Sequence, residues 1–190
     1  MSFGFPVSDE EACEKISEAI EEVQKTRSRR IIFLASAGNS GVYDEETFPA
    51  AHPSVISIRA TDSLGAFMKT NPANRSEDSV VFGAIGDDMP PRLQCFCPPM
   101  SLPGTSAATA IAAGIAAIML AYVLVLPQVV NIDENGRGIL RKLWTTEGMK
   151  KMFMKMSDDM GQRRRFLNPS KFFLMKPTPE SRYYAIYDCL

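Results

Sequence analysis

The stretch from Ala107 to Leu126 limits most what this chain can become: it carries no charged residue and is built largely from alanine, glycine and aliphatic side chains. A segment of that length and polarity has two outlets. It crosses a bilayer, or it is a helix enclosed by the body of a domain. Its first half is only mildly hydrophobic, and no basic cluster or aromatic belt flanks it, which favours the enclosed helix. Small side chains suit a helix packed tightly in the middle of an α/β domain, and Pro127 closes it. A membrane-anchored protein using 107–126 is the rival reading; on the first one, no membrane partner is expected.

The remaining pattern supplies a sheet for such a helix to cover. Met1 to Phe5 is a short apolar run ended by Pro6, and Ser8 with Glu11 has the spacing of a capping box. Ala12, Ile16, Ile20 and Val23 then recur at three- and four-residue intervals, predicting an amphipathic helix to about Lys25. Ile31 to Ser36 is a continuous apolar run without alternation, which fits a strand buried on both faces of a parallel sheet. Strand, helix, strand makes a βαβ unit with a right-handed crossover. Further strands are predicted over 54–60 and 79–82, and a loop dense in glycine and proline over 83–103. After Asn131 the character changes to a Met-rich helix over 145–157, whose methionines read as core filling, and an irregular, aromatic-patched tail over 163–190. The fold class expected is α/β, a mostly parallel sheet with helices on both faces.

Charge and cysteine content narrow the partners. A formal net charge of −1 argues against nucleic acid or an anionic membrane as an electrostatically driven partner. The basic runs at Arg27–Arg30 and Arg163–Arg165 interleave no aromatics and read as solvated faces or loops. The four cysteines, Cys13, Cys95, Cys97 and Cys189, form no disulfide framework by spacing, and Cys95 with Cys97 lacks the second pair a structural zinc site needs. Reduced thiols and the absence of a signal peptide before the first, acidic helix predict a cytoplasmic protein. No metal ligand set or cofactor is expected.

Two residues carry candidate chemistry. Ser106 follows a glycine-containing loop and stands where the long helix begins, so it is either an ordinary N-cap or a nucleophile held on a rigid element near helix N–H groups. Asn39 follows Gly38 at the end of a strand. It is either a turn residue or a neutral donor able to stabilise a tetrahedral oxyanion.

Five segments in order resemble the subtilisin-like serine proteases (subtilases, peptidase family S8). Met1-Ser2-Phe3-Gly4 resembles the strand that pairs with an extended substrate, and Ala37-Gly38-Asn39-Ser40-Gly41 the oxyanion segment. Phe48-Pro49-Ala50-Ala51-His52-Pro53-Ser54-Val55-Ile56 and Ala60-Thr61-Asp62 resemble the next two family stretches, and Gly104-Thr105-Ser106-Ala107-Ala108-Thr109 the nucleophile motif. The segment from Thr146-Glu147-Gly148-Met149 further resembles intracellular, multidomain subtilases of filamentous fungi. The resemblance implies a serine endopeptidase with Ser106 as nucleophile and Asn39 in the oxyanion hole. Ser2, Phe3, Gly4, Ser36, Ala37 and Gly38 would form the substrate-binding walls. Peptide or protein substrates are implied as partners, with other domains of a longer parent chain, and the family's calcium sites are not legible. Ala110 departs from the family's usual proline. In subtilases the aspartate and histidine precede the serine along the chain, so the resemblance implies an N-terminally truncated domain over 1–130 followed by an extension over 131–190. His52, the only histidine, falls in a segment that resembles a surface loop. No proteolysis by the chain alone is expected, and a non-catalytic peptide-binding or interaction module derived from a protease is the alternative.

Overall fold

A computed structural model describes residues 1–27, 30–73, 79–87 and 103–190. Helix α1 (Glu10–Thr26) leads to strand β1 (Phe33–Ser36), followed by β2 (Val55–Thr61) and β3 (Val81–Ile85). Helix α2 (Thr105–Val125) comes next, then α3 (Glu134–Leu140) and α4 (Thr146–Met156). A hairpin of β4 (Ser157–Asp159) and β5 (Arg164–Leu167) and helices α5 (Pro169–Met175) and α6 (Pro179–Tyr187) complete the chain. The five strands form one sheet in the order β1-β2-β3-β5-β4, parallel throughout except for the β4–β5 pair.

Alternation along this ladder sorts the two faces. Phe33 lies beside Val55 and Ala35 beside Ser57 in register, and Phe33, Ala35 and Val55 pack with Ile16 and Ile20 of α1. Ile56, Ile58, Ala60 and, on β3, Phe82 and Ala84 point the other way into the main core with Ala108, Ala112 and Met119 of α2. The fold is therefore α/β with helices on both faces. Alanines at 108, 112 and 116 let α2 lie close across β1, β2 and β3, which explains the small side chains there.

Several expectations shift. The first helix is capped by Asp9, whose carboxylate accepts from Ala12 N at 3.2 Å, rather than by Ser8; a carboxylate at that position also favours the positive end of the helix. The third strand runs over Val81–Ile85 rather than 79–82. The segment 131–190 is not one short helix with an irregular tail: it holds four helices and two strands, β5 pairs with β3, and Leu167, Phe172 and Ile186 join the core built on α2. Its outer strand β4 is short and charged because it closes the exposed edge of the sheet, with β5 inside it. Pro169 and Pro179 occupy the first turns of α5 and α6, where a missing N–H costs nothing. Of the run Arg163–Arg165, Arg163 stays exposed in a turn as expected, while Arg164 and Arg165 begin β5 and are half-buried, with Arg165 paired to Asp159 at 3.0 Å and Arg164 over the Phe67 ring. Cys95, Cys97, Ser28, Arg29 and most of the glycine- and proline-dense loop lie outside the described residues, while Cys13 and Cys189 are unbridged. Among the described residues, α2 with its following turn (Thr105–Gln128) is the one helix long and apolar enough to cross a membrane, and its inner face is occupied by the sheet.

Candidate active site

In a parallel sheet the carboxyl ends of the strands are where loops gather and ligands bind, and here the loop after β1 meets the start of α2. The contact is made by Thr105, which is fully buried. Its hydroxyl donates to Gly38 O at 3.3 Å and to Asn39 Oδ1 at 3.2 Å, and accepts from Gly38 N at 3.3 Å. Its backbone N–H donates to Asn39 Oδ1 at 2.9 Å. Gly104, the residue before the helix, has no side chain with which to cap it, so Asn39 does this from a loop 66 residues away in sequence.

The cap also fixes which way the asparagine faces. An N–H can only be met by an acceptor, so the carbonyl oxygen is turned to the helix and the NH₂ away from it. Among the described residues nothing accepts from Nδ2. A Cβ on Gly104 would lie 2.7 Å from Asn39 Oδ1, so glycine there is a condition of the carboxamide's position. Gly38 has φ 114°, a left-handed conformation that a side chain would strain.

Ser106 follows Thr105 in the first turn of α2 and is exposed. Its hydroxyl donates to Ser2 O at 3.4 Å. Residues 1–5 reach it because they run beside β1 and the Phe48 loop: the Met1 amino group donates to Leu34 O at 2.6 Å, Ser36 N donates to Met1 O at 3.0 Å, and Phe5 bridges Phe48. Burial lowers the pKa of that amino group below its ordinary value. Ser2, Phe3 and Gly4 are exposed, Ser36 and Ala37 buried, and Gly38 half-buried. The segments 2–4 and 36–38 thus stand near one another, with Ser106 and Asn39 at their ends.

Thr47, which the sequence did not single out, occupies the space between them. A Cβ on Gly4 would fall 2.2 Å from Thr47 Oγ1, and one on Gly38 3.1 Å from its methyl. Thr47 N donates to Ala37 O at 2.9 Å and its hydroxyl to the same oxygen at 3.2 Å, which holds the side chain in that gap. Thr105 was likewise seen only as part of a motif; its burial was the missing signal.

His52 is not brought to this site. It precedes β2, at the opposite end of the parallel strands from Asn39, which follows β1. The imidazole is buried, its Nδ1 accepts from Ser54 N at 3.1 Å, and its ring meets Phe48 edge-on at 6.0 Å. It lines a cavity of about 360 Å³ with Glu46, Arg59 and Lys150. Among the described residues no histidine or carboxylate is bonded to the Ser106 hydroxyl, and no cluster of three or more His, Cys, Asp or Glu gathers that could hold a metal ion.

The model of the family described as the subtilase family (Peptidase_S8) matches residues 1–126. Among solved structures, the self-cleaved protease domain of PatA is similar at 25% identity and a TM-score of 0.51, over 82% of this chain and 54% of that one. The prenylagaramide maturation protease PagA is similar at 19% identity and a TM-score of 0.54, over 87% and 54%. The PatG macrocyclase domain is similar at 15% identity and a TM-score of 0.57, over 99% and 50%. The last two likenesses bear on the fold alone. The chain spans about half the length of these structures, and no curated protein matches it.

Proposed function

This chain belongs to the subtilase family, and from that premise we propose that it carries the nucleophile and oxyanion part of a serine endopeptidase site and needs a base from outside itself to work. The observation that supports this most is the Asn39 carboxamide. Its oxygen is committed to the start of α2, and among the described residues its exposed NH₂ has no acceptor, beside the residue that precedes Ser106. In the reaction Ser106 Oγ attacks the scissile carbonyl carbon while its proton passes to a base, and Asn39 Nδ2 donates to the resulting oxyanion. Collapse expels the amine and leaves the acyl group on Oγ, from which water releases it. In subtilisin itself, the case from which the figure comes, loss of the asparagine donor costs about 10²–10³ in turnover.

Ser2, Phe3 and Gly4 form one wall of the substrate groove and Ser36, Ala37 and Gly38 the other. Thr47 fills the gap between Gly4 and Gly38, so a groove between these walls takes a small side chain in preference to an aromatic one. The same reading puts the chain among intracellular fungal subtilases, on the strength of the segment that opens α4, and in a reducing compartment, on the strength of the unbridged Cys13 and Cys189.

The 190-residue chain alone has no measurable protease activity on this reading, since its single histidine is held at the far end of the sheet. A fluorophosphonate probe tests it. The isolated chain is expected to label no more than the Ser106→Ala variant; labelling of Ser106 above that control would overturn the requirement for an outside base. A second reading, a non-catalytic module that binds extended peptides by strand addition, is favoured by the groove walls being assembled without a base. Saturable binding of an extended peptide by a chain that still fails to label when a base-bearing partner is present would support it.

A further inference from the structure

At the opposite end of the strands from Asn39, where α1 passes the start of α4, Gln24 is a buried polar side chain that the fold does not engage. It is only 7% exposed, and among the described residues nothing hydrogen-bonds its carboxamide. It lines a cavity of about 240 Å³ with Ser54, Thr145, Thr146, Glu147 and Lys150. A buried amide in that state is costly by itself and has hydrogen bonds to give to a molecule entering the cavity. The first turn of α4 borders the same space. Thr145 caps it, the hydroxyl accepting from Gly148 N at 3.0 Å and the carbonyl from Met149 N at 2.9 Å. The N–H groups of Thr146 and Glu147 are left over, at the positive end of an 11-residue helix. Thr146 Oγ1 donates to Ser54 O at 3.3 Å, which fixes this turn against the residue before β2. Lys150 is half-buried there, with no carboxylate paired to it among the described residues.

A second cavity, of about 360 Å³, shares Pro53, Glu147 and Lys150 with the first. Ala50, Val55, Ile56, Phe82 and Met154 give it apolar walls. Its charges nearly balance. Arg59 and Glu46 answer each other at 3.2 Å, which leaves Lys150 and Lys151 against Glu147. Lys151 also donates to Leu190 O at 3.5 Å.

We propose that the two cavities form one binding site for a small monocarboxylic acid with an apolar body. The carboxylate accepts from the Thr146 and Glu147 N–H groups, from Lys150 Nζ and from the Gln24 NH₂, while the body enters the larger cavity. One cation in excess suits a monoanion, and the exposed Glu147 repels the second charge of a phosphate ester. The proposal is independent of the protease reading, because none of these residues belongs to the Ser106 site.

Isothermal titration calorimetry of the 190-residue chain with phenylbutyrate, phenyl phosphate and phenylbutanol tests it, alongside Gln24→Leu and Lys150→Met variants. Phenylbutyrate should bind saturably at one site, at least about tenfold more tightly than the other two. Lys150→Met should weaken it by about tenfold or more, the worth of a hydrogen bond to a charged group. Gln24→Leu should weaken it by about threefold or more, yet leave the urea midpoint equal or higher, since an unmet buried amide gives way to an apolar group of similar size. A glutamine that merely holds the fold together would do the reverse. Absence of saturable phenylbutyrate binding, equal binding of phenylbutanol, tighter binding of phenyl phosphate, or unchanged affinity in either variant would overturn the proposal. So would a lower urea midpoint for Gln24→Leu.

Discussion

Asn39 caps α2 and is proposed to donate to an oxyanion, and substitution can pull the two roles apart. Its oxygen accepts the Thr105 N–H at 2.9 Å and the Thr105 hydroxyl at 3.2 Å, and Thr105 is fully buried. Asn39→Ala removes that acceptor. The hydroxyl still has Gly38 O at 3.3 Å, so the loss falls on the N–H. An unmet buried donor costs about 1–3 kcal/mol, in line with about 1 kcal/mol for a lost helix cap. Taking about 2 kcal/mol, and about 2–4 °C per kcal/mol for a chain of this size, the melting temperature should fall by roughly 4–8 °C. Asn39→Asp keeps the acceptor and places a charge at the positive end of α2, worth about 0.3–1 kcal/mol in its favour. That variant should melt at or slightly above the parent, although it has lost the NH₂ as completely as the alanine variant.

Urea titrations of the three proteins, read by circular dichroism, decide the matter. The midpoints should order as Asp at or above Asn, and Asn well above Ala, with equal slopes. Equal stability of the alanine variant, or an aspartate variant that loses as much as alanine, would mean that the carboxamide does not cap α2. The orientation of Nδ2 toward a reacting oxygen would then lose its physical basis.

The buried pair of Arg59 and Glu46, 3.2 Å apart, predicts an asymmetry. Burial pushes the Arg59 guanidinium below its ordinary pKa and Arg164 adds to this, while Glu46 opposes it. Glu46→Ala strands the cation and should cost about 3–5 kcal/mol in thermal or urea unfolding, whereas Glu46→Ala with Arg59→Met should recover most of that. A double variant no more stable than the single one would refute this. Asp158 ties β4 to α5 through Lys171 and the Asn168 side-chain amide, which hold its carboxyl below the usual range. Because the folded value is the depressed one, its contribution is complete above the unfolded pKa of about 3.9 and is lost as pH falls below that, through the folded value. Lys171→Met should remove at most about 1 kcal/mol at pH 7 and less at pH 2, measured by denaturation at the two values; an equal loss at both would show that packing, not charge, joins the hairpin to the helix.

What was legible in the sequence was whatever repeats within a few residues. Ile56, Ile58 and Ala60 alternate with Val55, Ser57 and Arg59, so β2 could be read, and Ile16, Ile20 and Val23 do the same for α1 at helical spacing. β4 and β5 could not be read, because Ser157-Asp158-Asp159, at the solvent edge, and Arg164-Arg165 carry no apolar period. The site divides along the same line. Ser106 and Asn39 were found through motif order, but each kept a bland alternative, helix cap or turn residue. The structure gives the capping to Asn39, across 66 residues, which no local pattern could express. Thr47 was invisible for the same reason: its place between Gly4 and Gly38 depends on Phe5 meeting Phe48. The exposed side of α2 is the opposite case. The spacing of Ser106, Ala113, Ala117 and Leu124 was in the sequence from the start, yet a helix that is apolar all round does not say which side the sheet will take. Once β1, β2 and β3 occupy the side of Ala108, Ala112 and Met119, the uncovered side is fixed by the 3.6-residue turn, and Ser106 is on it.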